Sequence, residues 1–128
     1  MARRKHKVYG LTFDSKLEGE HYKMLREHKD VRILERQKTF VVLEPFDYYR
    51  FPDLKKSKHR KIQYTPDFIV EIKGYDKPVA IESKGYARKD YMLRKKLFMY
   101  NYGDKYYFYQ CNSKKQMKKM LEGLNAQE

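Results

Sequence analysis

Tyr64-Thr65-Pro66-Asp67-Phe68 and, after one turn, Ala80-Ile81-Glu82-Ser83-Lys84-Gly85 are the two strings from which the rest of this chain can be placed. The first sets a carboxylate at the end of one predicted strand. The second carries a carboxylate and an ammonium two residues apart on the next. Side chains alternate along a strand, so Glu82 and Lys84 share a face, about 6.5 to 7 Å apart. If the two strands pair, Asp67 meets Glu82 across the sheet with Lys84 beside them. Two acids that close repel unless a cation lies between them, and hard oxygen ligands suit Mg²⁺ or Mn²⁺.

Working outward, Ile62 to Lys73 reads as one strand, with Phe68, Val70 and Ile72 on one face and Asp67, Ile69 and Glu71 on the other. Gly74-Tyr75-Asp76-Lys77-Pro78 is a short turn, which makes Val79 to Lys84 an antiparallel hairpin partner. Its faces are Val79, Ile81 and Ser83 against Ala80, Glu82 and Lys84, and Gly85 ends it. Upstream, Ser15 to about Lys29 has helical spacing, with Leu17, His21, Met24, Leu25 and His28 on one side and Asp14 or Ser15 as cap. A strand from about Lys38 to Tyr49 follows, bent or held at an edge by Pro45, and then a basic loop from Phe51 to Lys61. Downstream come a helix from Arg88 to about Asn101, an aromatic strand from Lys105 to Cys111 and a basic helix from Ser113 to about Leu124. The predicted order is α-β-β-β-α-β-α. A helix between the third and fourth strands implies a crossover, so the expected fold class is α/β with a mixed central sheet flanked by helices.

Length and composition bound the function. At 128 residues the expectation is one domain over 1–128, with a basic N-terminal tail of about residues 1–8. The net charge is +13, from 30 Lys and Arg against 17 Asp and Glu, and a polyanionic partner would relieve that self-repulsion. Nucleic acid is the leading partner, and a phosphodiester is the natural substrate for a metal held by these acids. The basic residues are scattered rather than gathered on one amphipathic helix, which argues against a membrane surface. No segment approaches the roughly 20 apolar residues of a bilayer span, and the N-terminus lacks a signal peptide's apolar run. One cysteine, Cys111, excludes a disulfide framework and a zinc cluster and fits a cytoplasmic setting. The four histidines show no ligand spacing, and no nucleophile motif or Gly-rich nucleotide loop is present.

This order of elements, with Pro66-Asp67 closing one strand and Glu82-Ser83-Lys84 on the next, resembles the PD-(D/E)XK nuclease superfamily over about residues 15–111. The strings Phe13-Asp14-Ser15-Lys16-Leu17-Glu18, Glu82-Ser83-Lys84-Gly85-Tyr86 and Lys95-Lys96-Leu97-Phe98 look like those of small phage-encoded members and of phage Holliday-junction resolvases. The resemblance implies a restriction-endonuclease-like core and a Mg²⁺-dependent endonuclease in which Mn²⁺ can substitute. It implies that Asp67, Glu82 and the Ser83 carbonyl hold the metal and that Glu18 is an additional acid. Lys84 would orient the attacking water or stabilise phosphate charge, leaving a 5′-phosphate and a 3′-hydroxyl. The setting would be bacterial cytoplasm or a phage-infected host.

Several residues have competing readings. Ser15-Lys16-Leu17-Glu18 is also a capping box, and Glu20 is an alternative acid. Glu71-Ile72-Lys73 repeats the Glu-x-Lys pattern but lies about 13 Å along the strand from Asp67, too far to share its metal. Glu82 and Lys84 could instead be a solvated cross-strand ion pair. Similar family members place a glutamine where Gln37 stands. His21 and His28 are expected in the core or facing a partner. Phosphate grips are expected at Arg3, Arg4 and onward to Lys7, at Lys55, Lys56, Lys58, Arg60 and Lys61, at Lys114 to Lys119, and at Lys95 or Lys96. Interleaved tyrosines could stack on unpaired bases. A chain this short has little room to read bases, so the expected substrate is branched DNA, recognised by charge and shape. Cutting a junction symmetrically needs two sites and hence a homodimer. The alternatives are a restriction-type, nicking or single-strand-specific nuclease, or a non-catalytic nucleic-acid-binding protein.

Overall fold

Alternating apolar residues at Phe68, Val70 and Ile72, with Ile69 between them, build a strand that can be buried on both faces, and the fold is organised around it. A computed structural model of the chain describes residues 6–84 and 89–125. Among them are ten strands and three helices in a mixed α/β arrangement, with mostly antiparallel pairing. The short hairpin β1 (His6–Val8) and β2 (Leu11–Phe13) leads into α1 (Lys16–Glu27), capped by Ser15, whose hydroxyl accepts from the Glu18 N–H at 3.1 Å. Next come β3 (Val31–Arg36), β4 (Phe40–Leu43), β5 (Phe46–Tyr49), β6 (Lys56–His59) and β7 (Ile62–Tyr64). The chain finishes with β8 (Phe68–Ile72), β9 (Val79–Ser83), α2 (Lys89–Tyr102), β10 (Tyr107–Cys111) and α3 (Lys114–Asn125).

The central sheet has the order β10-β9-β8-β3. β8 is antiparallel to both β3 and β9, and β10 returns parallel to β9 after the α2 crossover. On one face Phe68, Val70, Ile72, Val79 and Ile81 pack against Tyr22 and Leu25 of α1 and Met117 and Leu121 of α3. On the other, Ile69 and Ala80 pack against Phe40 and Val42 of β4, Tyr64 of β7, and Tyr91 and Phe98 of α2. Burial on both faces locks the register. A slip of one residue would turn Phe68, which is 0% exposed, onto the opposite face. Truncating such a phenylalanine to alanine costs about 3–5 kcal/mol.

Four expectations need correction. The strand expected over Lys38 to Tyr49 is two strands, β4 and β5, and neither lies in the central sheet. The first central strand is instead β3, whose Val31-Arg32-Ile33-Leu34-Glu35-Arg36 sequence hides its alternation behind charged residues and a bulge near Leu34. Ile62 to Lys73 is likewise interrupted: β7 pairs with β4, and Thr65-Pro66-Asp67 carries the chain into the central sheet as β8. The basic loop contains β6, paired with β5, and the expected basic tail ends in β1. β1 and β2 are joined by Tyr9 and Gly10, both at positive φ (52° and 76°), the backbone that a two-residue hairpin turn requires. Gly85 and Arg88, expected at a strand end and a helix start, lie outside the described residues, as do Arg3 and Arg4.

Candidate functional site

Asp67 is held by its backbone before its side chain is considered. Its N–H donates to the Ile81 carbonyl at 3.0 Å and its own carbonyl accepts from the Gln37 N–H at 3.1 Å. The register Phe68↔Ile81, carried one residue further, sets Asp67 opposite Glu82. The Asp67 carboxylate then accepts from the Ser83 N–H at 2.7 Å through Oδ2 and from Gln37 Nε2 at 3.1 Å through Oδ1.

Glu82 is 5% exposed. Burial first, then a hydrogen bond with Asp67 and that residue's negative charge, push its carboxyl up to about 9. Lys84, whose Nζ lies 3.8 Å from Glu82 Oε1, opposes this rise. Lys84 is only half-buried, and its ammonium lies over the Tyr91 ring, 5.0 Å from the centroid. Glu82 and Lys84 open onto a polar cleft of about 410 Å³ bounded by Thr39, Gln63, Asp90 and Arg94. Tyr64 forms its floor. Among the described residues its buried hydroxyl has no partner in hydrogen-bonding geometry, and burial beside Glu82 raises its pKa.

Glu18 joins from α1. Its Oε1 accepts from Gln37 Nε2 at 2.7 Å, so one side-chain amide spans Glu18 and Asp67. Burial, then the charge of Asp67, push the Glu18 carboxyl up to about 7. Gln37 does this from a left-handed backbone, φ 54°, that residues other than Gly, Asn and Asp rarely adopt, a strained geometry of the kind concentrated at functional sites. Glu20, the alternative acid, turns away to Lys16 at 3.9 Å.

His21 was expected in the core or at a partner surface. It is fully buried and bonded at both nitrogens: Nε2 lies 2.9 Å from the Ser113 carbonyl and Nδ1 2.6 Å from Ser83 Oγ. A carbonyl only accepts, so Nε2 carries the proton and Nδ1 accepts from the Ser83 hydroxyl. Burial lowers its pKa and keeps it neutral. His21 thus fixes the side chain of the residue whose N–H holds Asp67. The available signal was its spacing of three from Glu18, which puts both on one helical face.

The other expected residues separate cleanly. Glu71 is exposed and paired with Arg32 at 2.9 Å, far from Asp67's end of the strand. Lys95 reaches Gln110 Oε1 at 3.3 Å and the Tyr91 ring at 5.6 Å, near Lys84, while Lys96 is exposed. Gln110 stands beside Glu82 in the parallel pairing of β10 and β9, and also accepts from the Tyr91 hydroxyl at 2.9 Å. Lys55, Lys56, Lys58, Arg60 and Lys61 are exposed along β6 and its flanks. His28 caps α1 and accepts from the Asp30 N–H.

The ligating groups the cluster offers are the oxygens of the Asp67, Glu82 and Glu18 carboxylates, while the Ser83 main chain presents its N–H to Asp67. That chemistry fits a hard dication, and the acids already draw N–H donors from Gln37 and Ser83 towards them. Among the described residues no three acids, histidines or cysteines stand at metal-enclosing distance, and Gln37 Nε2 bridges the Glu18 and Asp67 carboxylates. No helix among them is long and apolar enough to cross a membrane.

The family described as protein of unknown function (DUF1064) matches residues 2–118, so the chain belongs to that family. No curated protein and no solved structure matches it.

Proposed function

We propose that this chain is a divalent-metal-dependent DNA endonuclease of the PD-(D/E)XK kind, built on a restriction-endonuclease-like core, and that four-way branched DNA is its substrate. The observation that carries the reading is the meeting of Asp67 and Glu82 across β8 and β9, with Lys84 3.8 Å from Glu82 and Glu18 tied in through Gln37. A net charge of +13 supports a polyanionic substrate.

Asp67, Glu82, Glu18 and the Ser83 carbonyl would hold Mg²⁺, or Mn²⁺ in its place. When bound, the ion supplies Lewis acidity to the scissile phosphate and to the attacking water. The chain's own residues supply the rest. Ser83 N–H and Gln37 Nε2 aim the Asp67 carboxylate. Burial and the charge of Asp67 keep the Glu82 carboxyl protonated at neutral pH, and it would hold the ion as a carboxylate, its proton passing to solvent. Lys84, beside Glu82 but open to solvent, orients the water or neutralises charge growing on the phosphate oxygens. Lys95, which shares the Tyr91 ring with Lys84, grips a neighbouring phosphate. Hydrolysis breaks the bond to the 3′-oxygen, leaving a 3′-hydroxyl and a 5′-phosphate. Symmetric cutting of a junction calls for a homodimer acting in bacterial cytoplasm.

The test incubates the protein with a four-way junction, linear duplex or single-stranded DNA, in Mg²⁺ or in EDTA. Cleavage is expected with the junction and Mg²⁺, and Asp67→Ala should bind but not cut. Binding without cleavage in any metal would replace the enzyme by a nucleic-acid-binding protein, and preference for linear duplex would replace the junction.

A further inference from the structure

β4 and β5 on one side, and β6 and β7 on the other, form one interrupted ribbon. Past its bulge, β4–β7 pairs Leu43 with Ile62, and β5–β6 continues that register with Phe46↔His59 through Tyr49↔Lys56. One end is anchored at the candidate site, where Phe40 faces buried Tyr64 and the Thr39 and Thr65 hydroxyls bond at 2.8 Å. From Phe40 to Tyr49 the ribbon reaches up to about 30 Å.

The outer half differs in kind from the rest of the molecule. All four β5 residues are exposed, and only Ser57 of β6 is half-buried. A bare two-stranded hairpin is marginal by itself, yet this one ends in a built tip. Asp53 accepts from the Lys55 N–H and from Arg50, and the Arg50 N–H donates to the Lys55 carbonyl at 2.9 Å. That tip holds Tyr49, Phe51 and Leu54 in water at 72%, 85% and 65% exposure.

Alternation sorts the ribbon's sides. Phe46 and Tyr48 share a face with His59, against which both rings pack. Lys56 and Lys58 share the other with Asp47 and Tyr49, and Arg60 follows by the same period. An apolar tip on a basic ribbon suits a polyanion that also offers apolar surface. Nucleic acid with unstacked bases has both. A second copy of this chain offers apolar surface but not the complementary charge, because each copy carries +13.

We infer that the β5–β6 ribbon is a DNA-engaging arm, its Lys56-Lys58-Arg60 side on the phosphate backbone and its Phe51 and Leu54 tip against bases exposed at a branch point. The inference rests on the proposed action on DNA and adds how branched DNA is told from duplex. A two-stranded ribbon is also slim enough to follow a groove away from the site.

Binding is measured by fluorescence anisotropy in EDTA, using the full chain with Asp67→Ala so that no cutting intervenes. The probes are a four-way junction and a linear duplex of the same arms. Phe51→Ala with Leu54→Ala should weaken junction binding about tenfold and leave duplex within about twofold, since base stacking on an aromatic ring is of that order. Lys56→Ala, Lys58→Ala and Arg60→Ala together should weaken both probes and lower the slope of log affinity against log salt by about two to three. Phe51→Trp should keep junction affinity, with its fluorescence quenched by junction and not by duplex.

Unchanged junction binding by the tip variant, or equal loss on both probes, overturns the inference. So does a change from dimer to monomer in sedimentation, which would give the tip to a second copy. The two readings fail separately. Metal-dependent junction cleavage with an inert tip removes the arm alone, and a selective tip effect on a junction that no metal lets the protein cut removes the nuclease alone.

Discussion

Glu71-Ile72-Lys73 and Glu82-Ser83-Lys84 are the same pattern on adjacent strands, each straddling a strand's end, yet they occupy unlike surroundings. Antiparallel pairing sends them to opposite ends of the sheet. Glu71 lies in solvent with Arg32, an exposed pair worth about 0–1 kcal/mol. Glu82 is buried opposite Asp67, flanked by Tyr64 and Lys84, with its carboxyl pushed far from its ordinary value. Spacing along a strand is identical in the two. What separates them is the residue across the strand and the covering by α2 and the β4–β7 ribbon, which excludes water and magnifies every charge.

The largest effect should fall on this contrast directly. Glu82→Gln keeps the shape but removes the charge, and should reduce metal-dependent cleavage on the order of a thousandfold. Glu71→Gln should leave it within about twofold. Comparable losses at both positions in a single-turnover assay would break the distinction.

A smaller effect is expected at His21, which touches neither acid. Its role is to hold Ser83, so His21→Ala should reduce Mg²⁺ affinity, read by calorimetry, about 10- to 100-fold. Ser83→Ala, which keeps the N–H to Asp67, should lose less. Because the half-buried Ser83 hydroxyl loses its partner, His21→Ala should also cost about 1–3 kcal/mol in stability. A stability loss with unaltered metal affinity would make His21 purely a core residue.

The most modest expectation concerns pH in the absence of metal. Glu18 and Glu82 have folded values raised from an ordinary 4.5 to about 7 and about 9. The folded chain therefore holds more protons than the unfolded chain in that window. The stability they contribute is fully present below pH about 4.5 and is lost as pH rises through the folded values. Thermal melts in EDTA should fall by several degrees across that range. Glu82→Gln should flatten the dependence, while added Mg²⁺ should raise the midpoint most at the alkaline end.

The strand pair β8–β9, both of its faces and the two Glu-x-Lys strings could be placed from sequence because both strands are short, unbulged apolar runs bounded by Pro66 and the turn over residues 74–78. β3 was hidden for the opposite reason. It is an edge strand with one buried position, Val31, and its exposed charges and bulge erase the alternation. Tyr9-Gly10 is a weaker hairpin signal than Asn-Gly, so β1–β2 passed unseen.

Local chemistry by itself determined that this chain is a strongly basic α/β protein with Asp67, Glu82 and Lys84 on one side of a hairpin, because side-chain direction follows from backbone period alone. Only the tertiary structure decided that Glu18 rather than Glu20 turns inward, that Gln37 spans two acids and that His21 secures Ser83. Those contacts join residues 19 to 62 positions apart. No repeat along the chain encodes distances across a core; they exist only once α1, α3 and the central sheet have packed.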